Sequence, residues 1–245
     1  MADSPLMPAS QFKAADPLIK QNLADKLRAE IIHGTLKPGE RIVEGRWAGK
    51  FGVAQASIRE AINILGQEGF VTKQSGRSAR VLRLSEKDVI QLYQVRGALE
   101  GLAARLAVEV AAPLESLINA LDGMRRAAAS GHRKMLLDCD LEFHLKLCEA
   151  AQNPFLLEHA RRILLPFFAF VRMRVIASGQ ETSVWGKDLE SHQRVIDLIR
   201  EGEGHIAEEY VRKAMDRFAK TAYDNWEKSD SSRQLKRPTY RTPQR

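Results

Sequence analysis

Residues 53–84 read VAQASIREAINILGQEGFVTKQSGRSARVLRL, and the period of this stretch changes halfway along. In the first part Ile58, Ile62 and Leu65 recur at spacings of three and four, as on one face of an α-helix, until Gly69 intervenes. FVTKQ and SARVLRL are then short β-prone runs joined around the turn dipeptide Ser75-Gly76, which predicts a hairpin. Just upstream, Val43–Phe51 places Trp47, Ala48 and Phe51 on one side and meets Gly52 where a helix C-terminal glycine belongs. Further upstream, Leu18, Leu23, Leu27, Ile31 and Ile32 mark a first helix, stopped by Gly34 and Lys37-Pro38-Gly39.

Three helices followed by a hairpin predict a winged helix-turn-helix over residues 17–84. Each piece alone would pass for an ordinary amphipathic helix or surface hairpin; their order, size and shared charge distinguish them. Residues 17–84 carry 12 Lys+Arg against 6 Asp+Glu, whereas residues 85–228 carry 20 against 22. The net charge of +7 is therefore not spread along the chain, and the local excess is the electrostatic footprint expected for nucleic acid.

Residues 1–16 lack periodicity and read as a flexible arm. From Ser85, with Asp88 three residues on as in a capping box, helical periodicity runs to about Trp226. Ile90, Val95, Leu99, Leu102 and Leu106 mark one helix, Pro113 opens another, and Leu136–Ala151, Pro154–Ile176, Thr182–Arg200 and Ile206–Trp226 supply the rest. The fold class is thus mainly α: a winged unit of three helices plus hairpin, then an all-α bundle of six or seven helices over 85–228. Residues 229–245, with 5 basic residues against 1 acidic, read as a disordered basic tail. No apolar run approaches a membrane span and MADSPLMPASQ lacks the pattern of a signal peptide, so a cytoplasmic protein without membrane association is expected. Cys139 and Cys148, nine apart, fit neither a metal knuckle nor a disulfide framework and read as reduced thiols.

Several segments in order resemble the GntR regulators and, within them, the FadR-like subgroup with its FCD effector domain. They are Ile32-His33-Gly34 with Leu36-Lys37-Pro38-Gly39-Glu40-Arg41, Phe51-Gly52-Val53 with Ser57-Ile58-Arg59-Glu60-Ala61, and Glu68-Gly69-Phe70-Val71. In the second half they are Arg96-Gly97-Ala98-Leu99-Glu100, Asp140-Leu141-Glu142-Phe143-His144, Asn153-Pro154, and His192 with Gly202-Glu203. The resemblance implies a ligand-responsive transcription regulator, a repressor by expectation and not an enzyme, that binds palindromic double-stranded operator DNA as a homodimer.

In a helix-turn-helix the early residues of the second helix of the motif meet base edges and phosphates in the major groove. Gln55, Ala56, Ser57 and Arg59 hold those positions, with Gly76 and Arg77 at the wing tip. Arg46 and Lys50 are candidate phosphate contacts or simply solvated charges. Gly45 and Gln55 stand where many members of the family carry arginine, which makes any operator sequence taken from relatives unsafe.

Asp140 and His144, at i and i+4, project from one helix face about 6 Å apart and can converge on a cation, though such a pair is also a common cap or surface pair. The resemblance implies more: many FadR-like domains hold a divalent metal with one aspartate and three histidines, and Asp140, His144 and His192 match the first three. The fourth position falls on Ala214. Three ligands still suit Zn²⁺, Ni²⁺ or Mn²⁺ when water or an effector carboxylate completes the shell. Arg96 is expected to clamp a small carboxylate-type effector, or to pair with Glu100 one turn on. A hydrolytic metalloenzyme built on the same trio would need an acid or base that the sequence does not place beside it, and a purely architectural DNA-binding protein would not need the trio.

Overall fold

The computed structural model describes residues 17–73, 79–178 and 186–234. Among them lie nine helices and one two-stranded sheet, a mainly α chain with a winged helix-turn-helix at its N-terminal end. The winged unit comprises α1 (Pro17–Ile32), α2 (Glu44–Phe51), α3 (Gln55–Gln67), β1 (Val71–Thr72) and β2 (Arg80–Val81). β1 and β2 are antiparallel with Val71 opposite Val81, and Arg41 adds a bridge to Arg80. The tip of the hairpin, with Gly76 and Arg77, lies outside the described residues.

The apolar stripes meet where expected. Leu27 and Ile31 of α1, Ile58, Ile62 and Leu65 of α3, and Val81 of β2 are all essentially inaccessible. Leu18 does not join them: at the open end of α1 it is 73% exposed. Gly52 closes α2 at φ +66°, a left-handed conformation that favours glycine.

The helical part comprises α4 (Glu86–Glu109), α5 (Glu115–Ala129), α6 (Arg133–Ala150), α7 (Pro154–Ser178), α8 (Gly186–Arg200) and α9 (Gly204–Gln234). Ser85 begins it with the expected capping box: its hydroxyl accepts from the Asp88 amide at 3.2 Å, while the Asp88 carboxylate accepts from the Ser85 amide at 2.8 Å. The expected start of α8 at Thr182 lies outside the described residues. α9 runs through residues 229–234, which the sequence reading places in the basic tail. Once nucleated, a helix extends at little further cost, and no glycine or proline interrupts this one before Pro238.

The buried face of α4 also differs from expectation. Val95 is 43% exposed, and the buried residues are small ones, among them Gly97, Gly101, Ala103 and Ala104, with Arg96 and Glu100 between them. A Cβ on Gly101 would lie 3.0 Å from the Glu208 carbonyl oxygen of α9, so the two helices approach to backbone distance there. α9 packs along α4 and also against α8. Cys148 is buried and Cys139 half-buried, both as free thiols. No helix among the described residues is long and apolar enough to cross a membrane.

Candidate DNA-reading surface and metal centre

α2 and α3 present Arg46, Lys50, Gln55, Ala56 and Arg59 to solvent, with Ser57 half-buried. Two of these charges already have partners. Arg59 donates from Nη2 to Glu44 Oε2 at 2.8 Å and from Nε to the same oxygen at 3.1 Å. Lys50 bonds Glu30 of α1 at 2.5 Å and lies 4.5 Å from the Trp47 ring centroid, so it is turned away from the leading end of α3. The two departures from the family pattern touch: a Cβ on Gly45 would stand 3.1 Å from Gln55 Nε2, so the absence of a side chain at 45 leaves room for the glutamine. Glu44 and Glu30 were not singled out by sequence, since acidic residues inside a basic motif carry no local signal.

In the helical part, α6 supplies Asp140 and His144 and α8 supplies His192. Asp140 Oδ1 lies 3.4 Å from His144 Nε2 and 3.2 Å from His192 Nε2, and the two nitrogens are 3.4 Å apart. Ligand atoms about 2.0–2.1 Å from a tetrahedral metal stand about 3.4 Å from one another, so this triangle has the span of three such ligands.

The outer nitrogens decide what the triangle wants. His192 Nδ1 meets the Asp188 carbonyl oxygen at 2.5 Å; a carbonyl only accepts, so the proton is on Nδ1 and Nε2 is left with its lone pair. His144 Nδ1 donates to Glu100 Oε2. Burial disfavours the Glu100 carboxylate, but the Arg96 and His144 charges outweigh it and hold its pKa down at about 2, so it too can only accept. With both imidazoles neutral three acceptors converge and Asp140 Oδ1 is buried without a hydrogen-bond partner; with His144 protonated, the form Glu100 favours, its Nε2 proton faces that oxygen. Such an atom calls for a cation, either a proton shared with the imidazoles or a metal. Burial opposes charge on Asp140 and His144 as well; the neighbouring imidazoles nonetheless hold Asp140 below the usual carboxylate range, and Glu100 raises His144.

Phe143 stands edge-on to His192 at 4.5 Å and Phe168 lies 5.4 Å from His144, fixing the two rings. Beside the trio is a narrow apolar cavity of about 30 Å³, room for about two water molecules, walled by Tyr210, Ala214 and Met215 of α9 among others. Ala214 thus faces the trio with a methyl group. Arg96 does not line this space. Its Nε donates to Glu100 Oε1 at 2.7 Å, and its guanidinium lies 4.4 Å from the Phe167 ring centroid and 5.0 Å from that of Phe168. Of the two roles expected for Arg96, the ion pair with Glu100 is present, through Nε, and aromatic rings lie over the guanidinium. Glu100's second bond, across 44 residues to His144, had no signal in the sequence.

Comparison with known proteins bears on both halves. The description "Bacterial regulatory proteins, gntR family" matches residues 19–81 and the FCD domain matches residues 91–217. A protein of Paenarthrobacter nicotinovorans, named as a transcriptional repressor of a D-xylose utilization operon, is 26% identical over 82% of this chain and 88% of its own. An Escherichia coli (strain K12) protein, named as an L-lactate dehydrogenase operon regulatory protein, is 28% identical over 80% of this chain and 82% of its own. Among solved structures, E. coli McbR/YncC superposes with a TM-score of 0.68 at 17% identity, covering 85% of this chain and 98% of that one, a likeness of fold. With an N-terminal winged unit and a helical effector unit both matched, the chain belongs to the GntR family of bacterial regulatory proteins, in the branch with an FCD domain, and is a ligand-responsive DNA-binding transcriptional regulator and not an enzyme.

Proposed function

We propose that the chain is a cytoplasmic, homodimeric repressor whose affinity for an inverted-repeat operator is set by a small carboxylate bound beside a divalent cation. The observation that carries this reading is the triangle of acceptor atoms from Asp140, His144 and His192 with both outer nitrogens committed elsewhere. These residues would hold Zn²⁺, Ni²⁺ or Mn²⁺, and the cation would supply a Lewis acid able to take an effector oxygen. Ala214 leaves the α9 side of the shell without a ligand, and the small cavity beside it has room for a water or one effector oxygen, so a whole metabolite would have to part α9 from the trio. Relatives named for operons of D-xylose utilization and L-lactate dehydrogenase support a small polar metabolite of this kind. Residues 17–84 would bind DNA through Arg46, Gln55, Ala56, Ser57 and Arg59, with Lys50, Gly76 and Arg77 on the flanking phosphates. Residues 85–228, together with the extended end of α9, would bind the effector and dimerise.

Metal analysis of protein purified without a histidine tag, after incubation with each of the three ions, tests the site. One ion per chain is expected. Absence of stoichiometric metal overturns the metal centre and leaves the imidazoles as direct effector ligands. Light scattering at micromolar concentration is expected to show a dimer.

A further inference from the structure

The turn that closes α3 rests on α7. Gly69 has φ +79°, and a Cβ there would lie 2.6 Å from both Cβ and Cδ of Pro166, so the proline ring fills the place of a side chain. Glycine is required twice over, for conformation and for space. Pro166 lies inside α7, where the missing amide removes one helical hydrogen bond and makes the helix most deformable at the contact itself. The next two residues face the other way, into the helical part. Phe168 packs on His144 and Phe167 covers Arg96, the partner of Glu100.

A second line of contacts runs beside the first. Arg172 of α7 pairs with Asp138 of α6, two residues before Asp140. Across the boundary Arg28 of α1 bonds Glu68, the residue before Gly69, at 2.7 Å. Burial and the Arg28 charge both depress the Arg172 pKa, so two cations face each other between the units, each neutralised from its own side.

We propose that Pro166 is the positioning residue for the C-terminal end of the reading helix, and that the Phe168–Pro166–Gly69 contact carries the state of the Asp140–His144–His192 centre to α3. The inference rests on the proposed metal centre only for the identity of the occupant. An occupant there replaces the contacts that His144 makes with Asp140 and His192, and Phe168 lies against that ring. An occupant can shift α3 only by as much as it prefers one arrangement of this contact.

Hydrogen exchange of the full chain, resolved at the Gly69 and Phe70 amides, tests it. These amides bond to the Gly66 and Leu65 carbonyls that end α3. Exchange is referenced to the Ala104 amide in the α4 core, which reports global unfolding. Two perturbations are applied to the wild type and to Pro166→Ala: Zn²⁺ alone, with uptake followed by calorimetry, and His144→Ala, which needs no metal. In the wild type each perturbation is expected to change exchange at 69–70 by about fivefold or more, the lower end of ordinary coupling. In Pro166→Ala, a change mild for a helix, the response is expected to vanish while Zn²⁺ uptake persists. Zn²⁺ uptake with unchanged exchange at 69–70, or an equal response in Pro166→Ala, overturns the proposal. If calorimetry shows no uptake, the metal reading fails by itself, and the His144→Ala pair decides this one by the same criterion.

Discussion

His192 donates from Nδ1 to the carbonyl oxygen of Asp188, one turn earlier on its own helix, whereas His144 has its tautomer set from another helix by Glu100. The two imidazoles of the trio are thus oriented independently, one by backbone and one by a replaceable side chain. Glu100→Gln is expected to lower Zn²⁺ affinity about 10- to 100-fold, the usual effect of losing a partner behind a ligand. Calorimetric titration checks it; an unchanged affinity would show that His144 needs no help from Glu100.

Arg96 and Glu100 are buried together, at 3% and 1% exposure. Removing one member leaves the other charge stranded, so Arg96→Ala is expected to lower stability by about 3–5 kcal/mol. Urea denaturation measures it. A loss below about 1 kcal/mol would mean that water reaches Glu100 from behind.

Ala214→His places an imidazole on the wall that faces the trio. The expected outcome is slower Zn²⁺ loss to a chelator, with a weaker response to carboxylate effectors, because the added ligand takes their place. Stopped-flow chelation with a chromogenic chelator reads the first effect. Faster loss would place α9 too far from the metal for residue 214 to reach it.

The capping box at the head of α4 predicts a pH signature. Hydrogen bonds from the Ser85 side chain and backbone hold the Asp88 carboxyl below its ordinary pKa of 3.8. A depressed carboxyl contributes stability above its unfolded pKa and loses it as pH falls through the folded one. Ser85→Ala is expected to lower stability at pH 7 by about 1 kcal/mol, and the gap between it and the wild type is expected to narrow as pH falls below 3.8 and the carboxylate protonates, leaving the part due to the hydroxyl's bond from the Asp88 amide. Thermal melts across the acid range test this; a gap unchanged in acid would assign the whole loss to that amide bond.

Arg59→Ala is expected to weaken binding to a duplex selected from random-sequence DNA by about 1–3 kcal/mol if the guanidinium reads a base, and to flatten the salt dependence if it meets phosphate. A gel-shift titration at several salt concentrations distinguishes the two. A mutant matching the wild type would remove Arg59 from the reading surface.

The winged unit was legible in the sequence because its signals are local: the stripe Ile58, Ile62, Leu65, the glycine after α2, and the two β-prone runs that pair each lie within a few residues. The trio was half legible. Asp140 and His144 share a helix face, but only the family resemblance connects them to His192, since no pattern within a helix reports on a partner 48 residues away. The face of α4 was misread for a physical reason. Periodicity looks for large apolar residues, and Gly97, Gly101 and Ala104 bury themselves by letting α9 come close instead. Arg96 was read with two compatible partners, an effector carboxylate and Glu100, and the second was legible because i and i+4 share one helix face.

Glu44 gives the reading surface a kinetic character. In the free protein the guanidinium of Arg59 already has an anionic partner within 2.8 Å, so an encounter with arbitrary sequence finds one fewer available cation. Only a site that offers a better acceptor draws the arginine away. Loose complexes with random DNA should therefore be short-lived and scanning fast, whereas a matched half-site gains a contact that forms late and slows departure. If Arg59 reads DNA as proposed, the acidic neighbour would shorten the search for the operator by weakening attachment to everything else.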